Sequence, residues 1–222
     1  MTSTSTNVWP DSPEARTAIG QTVASLDAML EKIDRHTVRH QRRMATLARA
    51  IAVEMGLSEE HVHATHTAAE VHDIGKVCVP SEILSRPGKL SQVEFAIIKV
   101  HPRAGYDILK GIQFPSRVAH IVLQHHERLD GSGYLSGLSC RDILLEARIL
   151  AVADVVETMI SHRPHRPPLG IGLALEEISR NKARLYDSLA VEACLHLFAA
   201  KAFEFGRDMN GMEPDPLQQA DT

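Results

Sequence analysis

Five consecutive residues, His72-Asp73-Ile74-Gly75-Lys76, put a neutral nitrogen ligand, an anionic oxygen ligand and a cation into one short stretch. Adjacent side chains on a helix point about 100° apart, so this histidine and aspartate close on one metal only where a helix ends or kinks. Gly75 is expected to supply that end. Lys76 then lies just beyond the carboxylate, close enough to meet an anion bound to the metal. A His-Asp pair alone is a weak signal, because a histidine at a helix C-terminus is also favoured by the helix dipole. Further ligand-type groups strengthen it: His40, His101, the pair His125-His126, and Asp154. Each is about one helix and one loop from the next, the spacing at which a bundle sends one or two ligands per helix to a common centre. Asp154 sits inside Ala151-Val152-Ala153-Asp154-Val155-Val156, where a carboxylate needs a cation or strong donors. Any one of these histidines alone would more often be a surface or hydrogen-bonded residue.

The elements that position these groups are helical. From Glu14 the apolar residues Ile19, Val23, Leu26, Leu30 and Ile33 recur at threes and fours. A second helix is expected over about 36–55, with Gly56 as its C′ residue. Ser58 can cap a third helix, with Glu59 and Glu60 in its first turn, reaching His72. Residues 77–89 read as loop with a short helical turn. Ser91-Gln92-Val93-Glu94 is a capping box, and Pro102 ends or kinks the helix that follows. Helices are expected over about 103–110, from Pro115 onward with Val118, Ile121 and Val122 buried, over about 144–160, over about 171–182 and over about 188–205. The glycine-containing stretch 128–142 must be loop, as must the proline-containing stretch 161–170. No alternating strand pattern or internal repeat appears. The expectation is one all-α domain, a single helical bundle over 14–205, with a disordered leader over 1–13 and a polar tail over 206–222.

Composition narrows the function. The 222 residues suffice for one well-filled core. A net charge of −4 offers no global basic field for nucleic acid or anionic lipid. With 4% aromatic residues a stacking platform for single strands is not expected. The three cysteines, Cys78, Cys140 and Cys194, form no CxxC and fit reduced thiols in a cytoplasm. There is neither an apolar run long enough to span a membrane nor a secretory signal. The 13 histidines stand out against 24 lysines and arginines, and call for a use.

Four stretches together resemble the HD-GYP family, a branch of the HD-domain phosphohydrolases. They are HDIGK at 72–76, His101-Pro102-Arg103-Ala104-Gly105, HHERLDGSGY at 125–134, and ARILAVADVVE at 147–157 followed by Arg163-Pro164-His165-Arg166. The resemblance runs from about Arg35 to Phe198, in the family's motif order and spacing. It implies an α-helical fold with a bi- or trinuclear metal site, and hydrolysis of the bacterial second messenger cyclic di-GMP to pGpG and GMP. The implied metal ligands are His40, His72, Asp73, His101, His125, His126 and Asp154, with Asp73 bridging. Lys76 would hold the scissile phosphate. Asp130, Gly131, Gly133 and Tyr134 would form the signature loop beside the site, with Asp130 in a catalytic role. Arg163 and Arg166 would meet phosphate or guanine. The resemblance also implies contact with diguanylate cyclase or other signalling proteins, and leaves a homodimer open. No nucleic-acid polymer and no membrane are expected as partners.

The chemistry fits these residues. Two metal ions about 3.5–4 Å apart activate water and neutralise charge in phosphodiester hydrolysis, and lysine and arginine add point and bidentate donors. Five imidazoles with two carboxylates suit iron or manganese, with zinc, nickel or cobalt also compatible, better than magnesium. Three positions depart from the family. Gly133-Tyr134-Leu135 replaces Gly-Tyr-Pro, His165 stands where the family has tyrosine, and His36 stands where members with a third metal carry glutamate. His36 and His40 share a helix face, so His36 is a candidate ligand for a third ion, with a solvent-facing histidine the equal alternative. Two other readings compete with the phosphodiesterase. One is a binding or signalling module that holds metal and nucleotide with little turnover. The other is an HD phosphohydrolase acting on a different nucleotide, against which the glycine loop and the Arg163/Arg166 segment speak.

Overall fold

The computed structural model describes residues 13–33, 35–86, 88–114, 116–161 and 168–205, with the side chains of 13, 15, 16, 27 and 31–39 left out of the description. Among the described residues ten α-helices follow in order: α1 Pro13–Ile33, α2 Arg35–Glu54, α3 Glu59–Val71, α4 Ser81–Leu84, α5 Gln92–Ile98, α6 His101–Leu109, α7 Val118–Gln124, α8 Leu145–Ile160, α9 Ile171–Arg180 and α10 Ser188–Ala200. Two 3-10 turns, Ile74–Cys78 and Cys140–Asp142, interrupt the loops. Among the described residues there is no strand, only the isolated bridges Asp130–Ser139 and Lys182–Tyr186. The all-α expectation holds. Among the described residues no helix is long and apolar enough to cross a membrane.

The core is built on α2, α3 and α8, which pack on one another and are closed by α7, α9 and α10. Their facing residues are small or branched: Met44, Leu47, Ala48 and Ile51 from α2, Ala64, Ala68 and Ala69 from α3, and Ile149, Leu150, Val152, Ala153 and Val156 from α8 are buried. Alanines at these contacts let the helix axes approach closely, which matters because the candidate ligands are short side chains.

Local signals behave as their chemistry dictates. Gly56, at φ +69°, closes α2 while Leu57 N–H donates to the Ala52 carbonyl at 3.2 Å and Gly56 N–H to that of Val53. The capping box at Ser91 and Glu94 is complete. Ser58 occupies the N-cap position of α3, but its hydroxyl makes no cap bond. The chain resumes helix at Val118, so α7 starts later than the expected start at Pro115, which lies outside the described residues. At the other end α10 stops at Ala200 instead of running to Phe205. Ala202 takes φ +47°, Phe203 N–H donates back to the Leu197 carbonyl, and Phe203 and Phe205 fold onto Phe198. Of the leader expected over 1–13, Pro13 instead opens α1, and the rest of it, like the tail expected over 206–222, lies outside the described residues.

Gly75 departs from its expected part. Helix α3 ends earlier, at Val71, and His72 and Asp73 leave it before Gly75 is reached. The glycine serves packing instead. A Cβ placed on it would lie 1.9 Å from the His101 carbonyl oxygen and 2.5 Å from the Gly105 amide nitrogen, both backbone atoms of α6. Only a residue without a side chain lets the turn after Asp73 seat against the start of α6. Gly75→Ala is expected to destabilise the fold by about 3 kcal/mol or more, as overpacking against rigid backbone does. That corresponds to a Tm lower by roughly 6–12 °C for a chain of this size. Thermal unfolding followed by circular dichroism checks it, and an unchanged Tm would refute the packing role.

Candidate metal centre

Every candidate ligand with a described side chain, except Asp154 in mid-helix and His40 in the first half of α2, sits at a helix boundary. His72 and Asp73 leave the end of α3, His101 opens α6, and His125 and His126 follow the last residue of α7. Helix ends concentrate ligands because adjacent side chains there escape the 100° rotation of a continuous helix. The structure brings the candidate ligands together as two sets of side chains. His40, His72 and Asp73 offer ligand atoms within 4.8 Å of one another, and so do His101, His125 and His126. Asp154 joins the first set through His40 Nε2, 3.2 Å from its Oδ1.

Asp73 stands between the two sets. Its Oδ2 lies 3.4 Å from His72 Nε2, and its Oδ1 lies 3.3 Å from His101 Nε2. One carboxylate therefore presents one oxygen to each group of imidazoles. Lys76 Nζ donates to Oδ2 at 2.5 Å. Burial alone would push the Asp73 carboxyl up, but Lys76, His72 and His101 together hold it well below the usual range.

The imidazoles are oriented by their other nitrogens. Nδ1 of His72, His101 and His125 faces the carbonyl three residues earlier, that of Ala69, Ile98 and Val122 respectively, at 2.8, 2.8 and 2.6 Å. With Nδ1–H donating, each Nε2 lone pair is free and aimed inward. The consequence is a direct test of fit to a metal. His101 Nε2 and His125 Nε2 lie 3.3 Å apart and buried, two lone pairs facing each other, an arrangement that a cation between them relieves. Burial lowers the pKa of His101 and His126, the latter to about 3, and depresses His125 well below its ordinary value. These rings are neutral at physiological pH, the form that binds metal.

His40 is held differently. Its Nδ1 meets the fully buried Glu157 Oε2, and Glu157 is anchored in turn by Arg43 and Ser161. Sequence reading missed Glu157. The available signal was an acid three residues after Asp154 on the same face of an apolar helix. A carboxylate behind a ligating imidazole fixes its tautomer and orientation. Burial opposes the charge on His40, but hydrogen bonds to Asp154 and Glu157 raise its pKa to about 9. That proton must leave when Nε2 takes a metal. The sign follows: in metal-free protein the imidazolium adds stability that is complete below about pH 6.5 and disappears as pH rises through about 9. Metal binding at His40 is accordingly expected to tighten about tenfold per pH unit below about pH 9. Titration calorimetry from pH 6 to 8 in buffers of differing ionisation enthalpy checks this, and a pH-independent affinity would contradict it.

The glycine loop is folded onto the centre. Tyr134 packs its ring on His126, centroids 4.7 Å apart. Burial, then the charges of Asp154 and Asp73, push the Tyr134 phenol up, so it remains a neutral donor. Gly133 allows a close crossing, since its Cβ would lie 2.5 Å from backbone atoms of His126, Glu127 and Arg128. Leu135 follows through a cis peptide. Glu127, a second buried acid that sequence reading passed over, accepts the Ser136 and Leu138 amides at 2.7 and 3.0 Å. The Asp130 carboxylate accepts from Ser132 and meets Arg184 at 3.6 Å. Gly131, at φ +78°, turns the same loop. Arg163, His165 and Arg166 lie outside the described residues, as does the side chain of His36. His61, His66 and His196 pair with Glu146, Glu70 and Glu54, and His120 lies against Tyr106, all outside the two ligand sets.

Residues 24–189 match the family described as HD domain. The chain belongs to the HD-domain family. Within that family its HDIGK and HHERLDGSGY motifs put it on the HD-GYP branch. This HD domain is 42% identical over 177 residues to the cyclic di-GMP phosphodiesterase response regulator RpfG of Xanthomonas campestris, covering 79% of the chain and 47% of that protein. It is 39% identical over 135 residues to 3'3'-cGAMP-specific phosphodiesterase 1 of Vibrio cholerae, covering 61% of the chain and 31% of that protein. The HD domain thus spans about half the length or less of these curated relatives. Among solved structures it resembles an HDG"Y"P protein of Bdellovibrio bacteriovorus, with a TM-score of 0.63 at 18% identity over 83% of the chain and 62% of that protein. That likeness speaks for the fold. The His and Asp clusters of the HD domain are able to hold divalent metal.

Proposed function

We propose that this HD domain is a metal-dependent phosphodiesterase that hydrolyses cyclic di-GMP to pGpG and GMP. The observation that carries the reading is Asp73, whose two oxygens face two separate groups of imidazoles. The residues fit two transition-metal ions, with iron or manganese best matched to the nitrogen-rich donors. His40, His72, Asp73 and Asp154 would hold one ion, and His101, His125, His126 and the other Asp73 oxygen the second. A third ion at His36 remains part of the proposal. When bound, such ions supply Lewis acidity and a water activated at neutral pH.

The chain's own residues do the rest. Lys76, beside Asp73 and 15% exposed, supplies the cation that meets the phosphate at the centre. The loop 127–139 closes the site with the neutral Tyr134 phenol against His126. Arg163 and Arg166 are assigned to the nucleotide through the family resemblance. Hydrolysis adds water across one P–O bond, opening the ring to a linear dinucleotide with a terminal phosphate, and a second cut yields GMP. A cytoplasmic setting and a signalling partner such as a diguanylate cyclase belong to the same reading, with a homodimer open.

A relative named for 3'3'-cGAMP makes the mixed dinucleotide the second substrate to try. The test is a product assay with the protein loaded with iron, manganese or zinc, offered cyclic di-GMP, 3'3'-cGAMP and pGpG. Appearance of pGpG and GMP supports the proposal. Binding of cyclic di-GMP without turnover under any of the three metals makes the module the better account.

A further inference from the structure

Beside the metal centre, side chains from two elements meet in a cluster whose outer members the proposed reaction does not use. Helix α5 carries Phe95, whose side chain is 45% exposed although it is a large apolar ring. Its ring meets that of Tyr134 edge-on, centroids 6.4 Å apart. Lys99, one turn further on, places its ammonium 4.7 Å from the Phe95 centroid and 5.2 Å from that of Tyr134. The spacing from Phe95 to Lys99 alone would be an ordinary pair along one helix. The third member, Tyr134, comes from the glycine loop, so two elements converge on one spot. Tyr134 then stacks on His126, and Lys99 is two residues before His101. The cluster therefore borders the metal centre directly.

Of the six lysines with described side chains four have an acidic partner, and Lys99, like Lys89, does not. Lys76, Lys110, Lys182 and Lys201 each lie against a carboxylate. Among the described residues Lys99 has no carboxylate within ion-pair distance and is held only over the two rings. An exposed aromatic face, a second ring at right angles and a cation without an acidic partner make up a surface for a flat, anionic ligand. Aromatic faces accept nucleobases by stacking, and cationic groups draw in the phosphates attached to them.

We infer that Phe95, Lys99 and Tyr134 form a shelf that binds the purine base and adjoining phosphate on the non-reacting side of the cyclic dinucleotide. The inference rests on the phosphodiesterase reading and adds Phe95 and Lys99 to its substrate contacts. Phe95 gives the stacking face, and Lys99 answers the second negative charge, which Lys76 at the centre cannot reach while it meets the first.

The experiment compares wild type, Phe95→Ala, Lys99→Gln and the conservative Phe95→Tyr, all metal-loaded, on cyclic di-GMP and on methyl p-nitrophenyl phosphate, a diester without a base. The alanine and glutamine variants are expected to raise KM for cyclic di-GMP about tenfold, the scale of losing one stacked base, with kcat within about twofold. Phe95→Tyr should restore KM, and all four proteins should cleave the small diester equally. Metal content should be unchanged. If wild type binds cyclic di-GMP without cleaving it, the same ratio is read as Kd by calorimetry. An unchanged KM or Kd overturns the shelf, as does an equal loss on both substrates, which would mean that the variants disturb the centre itself. Wild type that cleaves the small diester but neither binds nor cleaves cyclic di-GMP overturns the phosphodiesterase reading and the shelf with it, whereas an active wild type with indifferent variants overturns the shelf alone.

Discussion

Asp73→Ala is expected to lose metal and turnover together, with a fall in rate of at least about 10³-fold. The reason is position. Asp73 is buried, one oxygen faces His72 and the other faces His101, so a single truncation removes a donor from both groups of imidazoles. Asp154 would then be the one ligand carboxylate left to offset the charge of two divalent ions, with no anion on the His101, His125 and His126 side. Stability should fall as well. The Lys76 ammonium loses its partner at 2.5 Å, and leaving a poorly hydrated charge unpaired costs about 3 kcal/mol or more. Metal that binds the folded state adds to stability, so its loss lowers the Tm further. Elemental analysis, thermal unfolding and cyclic di-GMP hydrolysis measured on one preparation check the three effects. A variant that retains two metal equivalents would show that Asp73 does not bridge.

Lys76→Ala is expected to separate what Asp73→Ala joins. Lys76 touches the Asp73 carboxylate but belongs to neither ligand set. In the metal-loaded protein, where bound cations would balance the Asp73 carboxylate in its place, removing it should leave metal content and Tm near wild type while the rate falls about 10²–10³-fold, the usual loss for one electrostatic donor at a developing charge. The loss should appear in kcat, because a charge that strengthens its hold as negative charge builds on the phosphate acts on the transition state more than on the bound substrate. Metal content and steady-state kinetics decide it. A variant as fast as wild type would assign the charge to Arg163, Arg166 or the metals.

Much of this site was legible in the sequence, for identifiable reasons. Imidazoles and carboxylates at helix boundaries can be recognised by type and spacing, and His40, His72, Asp73, His101, His125, His126 and Asp154 do come together in two neighbouring sets. Helices α3 and α8 were legible from their local apolar patterns and α5 from its capping box. What escaped depends on contacts between distant segments. Glu157 acts on His40 across the packing of α8 on α2, and nothing near Glu157 in the chain announces its partner. Glu127 serves amides on the far side of its own loop, at Ser136 and Leu138. Gly75 looked like a helix terminator, a local role, but it is a contact point for the backbone of α6. Asp130 drew attention through its motif, whereas its described partners are Ser132 and Arg184. The early end of α10 follows from Phe203 and Phe205 turning back onto Phe198, which no helical periodicity foretells.

The proposed hydrolysis needs two metal ions sharing Asp73, so the metal content of the native protein is the decisive quantity. Protein purified without chelator and analysed by inductively coupled plasma mass spectrometry should contain at least two equivalents of transition metal per chain, iron or manganese foremost. A metal-free protein with a native fold, or one carrying a single zinc ion, would contradict the account.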